Sequence, residues 1–479
     1  MLFNSLKFLI FFPIVFLLYW GAPHRVRKIL LLAASYYFYM CWKPEFIVLI
    51  VYSTAVDYFC GLGMERWPEW KKVLLGVSLT MNLGLLFFFK YFNFFGATLT
   101  ALCRAVSIPF SAPMLDIILP VGISFYTFQT LSYTIDVYRG RMQPEHDFVT
   151  FALFVSYFPQ LVAGPIEKAE NLLPQLKSER AFSYEQAANG ARLMAWGFFK
   201  KCVCAAYLAG IVDSVYDGIT GANGGAVMLA TAAFALQIYC DFGGYSDIAR
   251  GCSQMLGVEL MVNFKRPYLA QSMREFWRRW HISLTAWFRE YVYIPLGGNR
   301  KGAAMTAILT LVTFLLSGLW HGADWTFVIW GGINGAYLVF ERLLRHTGAD
   351  KPHGVGYRVL MAVKTFALAC LAWVFFRADS MAEAGIALRA LVCDLRDPYH
   401  YLGGGYYALL SCGRWAALFA LASVAVLFGF DFWDEKTNVV AAVGRWKCYV
   451  RYPLYAVFLL GMVLLIPKTT PAPFIYFQF

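Results

Sequence analysis

Thirteen runs of mostly apolar residues succeed one another along this chain, at 8–20, 29–42, 46–64, 73–95, 117–135, 148–163, 193–215, 227–239, 303–319, 325–343, 357–376, 415–432 and 452–466. Spanning a bilayer takes about 20 predominantly apolar residues in helical form. In hydrocarbon every backbone polar group must find a partner inside the segment or inside a closed barrel. Runs of this length therefore read as helices, and the chain as an all-α, polytopic integral membrane protein. Several runs are short or interrupted, so about 11–13 transmembrane helices are expected, with re-entrant or interfacial helices among them.

Composition supports the same class. Only 15% of the 479 residues are charged, against about 25% in soluble domains. Aromatics reach 18%, as expected where Trp and Tyr gather at bilayer interfaces. The formal net charge of +12 belongs to the loops. Segments 24–28, 65–72, 139–147, 167–180, 265–301, 342–358 and 434–451 are basic or mixed, whereas 43–45, 99–116, 218–225 and 403–413 nearly lack Lys and Arg. Basic loops mark the cytoplasmic side, and nucleic-acid binding is set aside. In run 8–20 the positive charges follow the apolar residues, which reads as a retained first span with its N-terminus outside. Of the eleven cysteines, Cys60, Cys202, Cys204, Cys240 and Cys370 sit in apolar runs and behave there as small hydrophobes. Their spacing gives no metal site, so neither a disulfide framework nor a zinc is expected.

No repeat or linker divides the chain, which reads as one domain over 1–479 with its catalytic core near 117–345. Residues 380–412 form the one sizeable outer-face insertion, a helical part at 381–394 followed by a Gly/Tyr-rich turn, and this could dock a partner. Pro120-Val121-Gly122-Ile123-Ser124 interrupts one run, and Phe158-Pro159 to Gly164-Pro165 ends another. Each could be a plain proline kink. Together they favour irregular backbone around a polar interior.

The segment from Arg274 to Phe327 concentrates arginines, tryptophans and two histidines between apolar runs. On a helix at 100° per residue, Trp277, Trp280, Leu284 and Trp287 share one face of 274–289, and Arg274, Arg278, His281, Thr285 and Arg289 the opposite one. That pattern predicts a helix lying at the membrane interface, with His281 on its basic side facing an anionic ligand or simply solvent. His321 ends the apolar run 303–319 between Trp320 and Gly322. It reads either as a core imidazole bonded to a carbonyl or as a general base working near neutral pH. His24, His146, His346, His353 and His400 fall in polar loops and read as solvated. Asp57, Lys90, Asp136, Asp241 and Asp247 lie in or beside apolar runs, where ionisable groups face a cavity or pair with one another. Gly243 and Gly244, between two of those acids, suggest a close backbone approach.

These pieces carry a resemblance. The segments LPVGISFYTFQTLSYTIDVYRG (119–140), FPQLVAGPI (158–166), QIYCDFGGYSDIARG (237–251), NFKRPYLAQSMREFWRRWHISLTAWFREYVYIPLGGNRKG (263–302), LSGLWHGADWTFVIWG (316–331) and VFFRADS (374–380) resemble, in order, the membrane-bound O-acyltransferase superfamily. Within it they are similar to the bacterial alginate O-acetylase branch. The resemblance implies a helical fold around a central funnel, with His321 as the essential catalytic residue and His281 as the second family histidine. It implies a bacterial inner-membrane enzyme that moves acetyl groups from a cytoplasmic thioester, acetyl-CoA or another acyl thioester, to an exported polysaccharide such as alginate or cellulose. A periplasmic partner of the SGNH-hydrolase type is implied, and no bound cofactor. Arg274, Arg278 and Arg289 would attract the donor's phosphates, with Trp280, Asn299, Trp320, Asp241 and Asp247 completing the substrate-binding set. Asp324, also in that set, stands where relatives often carry an uncharged residue and would orient or tune His321. Lys265-Arg266 makes its segment more basic than usual. Two other readings stay open: D-alanyl or longer acyl transfer from a carrier protein to a lipid-linked polymer, and a transporter, which predicts paired broken helices in repeated halves.

Overall fold

A computed structural model describes residues 1–345, 354–467 and 474–475. His346 and His353 lie outside them. Every regular element among the described residues is helical. Eight helices are long and apolar enough to cross a membrane: Pro44–Arg66, Pro68–Ala105, Tyr184–Tyr216, Gly224–Met255, Gly302–His321, Val355–Arg377, Arg414–Asp434 and Cys448–Leu465. The other expected spans are helical as well. Leu6–Gly21, His24–Met40 and Ile123–Tyr138 hold 16, 17 and 16 residues, and Trp325–Arg345 holds 21.

The run 148–163 divides into Phe148–Ser156 and Phe158–Leu161, parted at Tyr157. Pro159 has no N–H to give and its ring blocks the preceding turn, so the helix breaks. The Phe154 carbonyl left over by the break accepts from Gln129 Nε2 at 2.7 Å and from Gln160 Nε2 at 3.0 Å. Irregular backbone is thus satisfied by protein groups. The run 117–135 is helical only from Ile123, because Gly122 adopts φ +78°. A Cβ there would lie 2.7 Å from the Leu161 carbonyl oxygen.

Contacts divide the chain into two compact units, Met1–Gly190 with Cys252–Met261, and Ala191–Gly251 with Val262–Phe479. The first is built on Ile123–Tyr138, of whose 16 residues all but Ile135 and Tyr138 are buried. Asp57 joins three of its helices. Its carboxylate accepts from Ser78 Oγ at 2.5 Å, Thr134 Oγ1 at 3.0 Å and Asn82 Nδ2 at 3.0 Å. Neutral donors, and no salt bridge of its own among the described residues, hold this buried acid. His146 is exposed in a loop, whereas His24 and His400, expected in loops, stand in the first turns of the helices His24–Met40 and Pro398–Leu410, half-buried and exposed respectively.

In the second unit, Gly302–His321 and Trp325–Arg345 form a tight hairpin. A Cβ on Gly318 would meet the Phe327 carbonyl oxygen at 2.2 Å, and one on Gly331 would meet that of Phe314 at 2.2 Å. Such small-residue contacts bring helix backbones together where lipid supplies no hydrophobic drive. The Gly/Tyr-rich segment expected as a turn is instead the helix Pro398–Leu410. Pro398 at its first position and the Asp397 carboxylate, accepting from His400 N at 3.0 Å, start it well enough to carry three glycines.

Candidate active site

The hairpin positions His321. Gly302–His321 ends on that residue, and the Asp324 carboxylate opens the next helix by accepting from Thr326 N at 2.8 Å. Asp324 therefore works as a helix cap. His321 is 3% exposed. Trp330 from the second arm of the hairpin lies 5.0 Å from it between ring centroids, Trp320 5.1 Å and Phe376 5.6 Å.

The single interfacial helix expected over 274–289 does not form. Met273–Arg279 and Ile282–Phe288 are separate helices, parted by an extended Trp280 and by His281 at φ +42°. The segment at 263–265 bridges the gap: Ile282 N donates to Asn263 O at 2.9 Å, and Lys265 N donates to Arg279 O at 2.9 Å. The Glu341 carboxylate fixes the start of the first helix, accepting from Met273 N at 2.7 Å and Arg274 N at 3.1 Å. Trp277, Trp280 and Trp287 consequently pack inside protein, and His281 is fully buried, not on a wet basic face. Tertiary hydrogen bonds override the periodicity here.

The break gives His281 a defined tautomer. Asn263 Oδ1 accepts from Ser283 N at 3.3 Å and from Ser283 Oγ at 3.0 Å, which identifies that atom as the oxygen. His281 Nδ1, 3.1 Å from the same oxygen, must then be the donor, so Nε2 is the ring's acceptor nitrogen. Burial pushes this imidazole down to about 3, so it is neutral. The His281 and His321 rings lie 6.0 Å apart. Trp320 stands edge-on to both, its ring 6.0 Å from His281.

A cavity of about 160 Å³ lies against the helix that ends at His321, reaching Ser317 one turn before it, and neither histidine lines it. Trp277, Phe288, Tyr293 and Phe314 supply its aromatic walls, and Arg289 also lines it. Thr310, Thr313 and Ser317 line one side. With Thr306 they form a stripe of hydroxyls at helical spacing, which reaches His321 one turn after Ser317. That stripe was legible in the sequence and was not recognised there.

The remaining expected site residues are dispersed. Arg274 and Arg278 are exposed on Met273–Arg279 and do not line the cavity. Asn299 accepts from Tyr293 Oη at 2.6 Å and from Arg342 Nη1 at 3.3 Å. Asp241 pairs with buried Lys201 and accepts from Ile475 N at 2.9 Å, while Asp247 pairs with buried Lys200 at 2.5 Å. Gly244 permits this arrangement, since a Cβ there would sit 2.7 Å from the Gly197 carbonyl oxygen. Phe242, between the two acids, stands edge-on to His281 at 4.8 Å. Sequence reasoning missed Asn263, Glu341 and the two lysines, because each acts across a long sequence separation.

Residues 143–382 match the family model of the membrane-bound O-acyltransferase family. Over 391 residues the chain is 41% identical to a probable alginate O-acetylase of Azotobacter vinelandii, covering 80% of this chain and 76% of that protein. A protein of the same name from Pseudomonas putida is 35% identical over the full length of both chains. A peptidoglycan O-acetyltransferase of Helicobacter pylori is 34% identical, covering 82% of this chain and 80% of that one. With its helical, multi-pass architecture, the chain belongs to the membrane-bound O-acyltransferase family and is an O-acyltransferase.

Proposed function

We propose that this enzyme takes an acetyl group from acetyl-CoA on the cytoplasmic side of a bacterial inner membrane and passes it on for O-acetylation of an exported polysaccharide. The observation that carries this reading is the cavity that has Arg289 in its wall and Thr310, Thr313 and Ser317 along one side, on the helix that ends at His321. The acyl end of an elongated thioester suits a space of this size, with the charged head left outside it. A cation in a low-dielectric groove attracts phosphate strongly. Arg289 is the cation among the described residues that line the cavity.

In this reading His321 takes the proton of the incoming hydroxyl, whose oxygen attacks the thioester carbonyl while the thiolate leaves. His281, neutral and fixed by Asn263, orients the reacting groups from 6.0 Å away. The relatives named as alginate O-acetylases and as a peptidoglycan O-acetyltransferase support an acetyl group and a polymer acceptor. A periplasmic partner of the SGNH type would complete delivery to the polysaccharide.

The test is transfer from radiolabelled acetyl-CoA by purified wild type, His321→Ala and His281→Ala, with and without the periplasmic partner. Turnover abolished in His321→Ala and reduced in His281→Ala supports the roles given. Full turnover in well-folded His321→Ala removes its catalytic role. Wild type that ignores acetyl-CoA but accepts an acyl-carrier thioester replaces the donor.

A further inference from the structure

Just outside the cavity, one turn gathers polar groups against its wall. Tyr293, which lines the cavity, packs its ring over Gly298, where a Cβ would meet Tyr293 Cε1 at 3.6 Å. Its hydroxyl donates to Asn299 Oδ1 at 2.6 Å, and Arg342 Nη1 donates to the same atom at 3.3 Å. A guanidinium can only donate, so that atom is the amide oxygen and Asn299 Nδ2 remains a donor. Arg342 meets no carboxylate among the described residues. The neighbouring Glu341 is committed to Met273 N and Arg274 N. Arg289, in the cavity wall, has no ion pair among the described residues either. Arg266 and Arg279, by contrast, are engaged by Asp434, Glu435 and Glu275. Two uncompensated guanidiniums and an amide donor beside one cavity suit a phosphate.

We propose that Arg342, oriented by Asn299 and Tyr293, binds the phosphate that heads the donor's pantetheine arm at the mouth of the cavity, with Arg289 as the second cation. This rests on the acyl-thioester reading above and names the contact for the part of the donor left outside the cavity. Reach supports it. Thr306 Oγ1 lies 3.5 Å from the Gly298 carbonyl oxygen, which sets this turn level with Thr306. From there the helix rises about 22 Å to His321. An extended phosphopantetheine arm is of that length, so a phosphate on Arg342 leaves the thioester carbonyl near the histidine. With Nη1 on Asn299, the other N–H groups of Arg342 remain to grip phosphate oxygens. Acetyl-CoA and an acyl-carrier thioester both carry this phosphate. A phospholipid headgroup offers the same chemistry, and the test separates the two sources.

The test pairs a protein change with a donor change in the full-length enzyme. The thioester that wild type accepts, acetyl-CoA or an acyl-carrier thioester, is compared with S-acetylpantetheine, which has the arm and no phosphate. Loss of a hydrogen bond to a charged group corresponds to about ten-fold in affinity. Arg342→Ala should therefore lower kcat/KM for the phosphate-bearing donor about ten-fold through KM, with kcat unchanged. S-acetylpantetheine should serve wild type and Arg342→Ala alike. Arg342→Lys should fall between, since it keeps the charge and loses the fork. Asn299→Ala should raise KM less, and should add nothing once Arg342 is Ala. Equal losses with both donors, or no loss with either, overturn the proposal while wild-type turnover leaves the acyl-thioester reading standing. The lipid arm compares phosphatidylcholine vesicles with and without phosphatidylglycerol. A response to phosphatidylglycerol that Arg342→Ala abolishes, with the ratio between the two donors unchanged, gives the site to a headgroup and also overturns it. Wild type that uses no acyl thioester removes both readings. Melting temperatures of the variants separate these results from misfolding.

Discussion

Asn263 and His281 share one hydrogen bond, Oδ1 to Nδ1 at 3.1 Å, and that bond decides which nitrogen of a buried imidazole can accept a proton. The same oxygen is anchored by Ser283, so the Asn263 amide cannot flip to present its NH2 to His281 without stranding the serine's donors. Replacing Asn263 with Ala should lower kcat by about 10–100-fold with little change in the KM for the donor, since the effect is a loss of orientation. Steady-state acetyl transfer checks it. A KM effect of that size instead would place Asn263 in donor binding.

Burial of neutral His281 also sets a pH dependence. Its folded value near 3 lies below the unfolded value of about 6.5. Above about pH 6.5 neither state binds the proton, and the residue carries no titration penalty. As pH falls below that, only the unfolded state takes up the proton, so stability declines by up to about 1.4 kcal/mol per pH unit until the folded value is reached. Melting of wild type and His281→Gln between pH 7.5 and 5 should show a steeper fall for wild type. Parallel curves would mean that His281 is not held neutral by the fold.

The Lys201–Asp241 pair distinguishes structure from chemistry. Removing one partner leaves a buried charge alone, so Asp241→Leu should destabilise by about 3–5 kcal/mol. The double variant Lys201→Met with Asp241→Leu should regain much of that stability. If it also regains acetyl transfer, Asp241 is structural. A stable but inactive double variant would give the carboxylate a direct part in the site.

Gly331→Val should abolish folding of the second unit, because its first side-chain atom already meets the Phe314 carbonyl oxygen at 2.2 Å. Overpacking of helix interfaces costs about 1–3 kcal/mol when neighbours can move, and here the neighbour is backbone. Loss of the monodisperse peak in detergent, with Gly332→Val as a milder companion, is the expected result. Normal yield of Gly331→Val would show that the hairpin can open.

The all-helical, membrane-spanning architecture was legible because apolar run length is a local property. His321 stood out for the same reason, as a polar residue closing an apolar run. The Arg274–Arg289 region misled because its periodicity is real: tryptophans and arginines do recur at helical spacing. What breaks the helix is the insertion of Asn263 to Lys265 across it, together with Glu341 at its start. These contacts join residues from about 15 to about 70 positions apart, and no local pattern announces them. Lys200 and Lys201 were hidden likewise, being two charges whose counter-charges lie 47 and 40 positions away.

The glycine-to-carbonyl contacts of the Gly302–His321 hairpin carry one more consequence. Because main chain rests on main chain at Gly318 and Gly331, the depth of His321 is set by parts of the protein that substitution cannot adjust in small steps. A lineage or an engineer seeking a different acyl group has little to alter there. Change is available on the opposite wall, where Thr285, Phe288 and Arg289 are side chains of a short helix and the turn that follows it. Diversification of this scaffold would thus run along one face only, with the histidine as its fixed reference point.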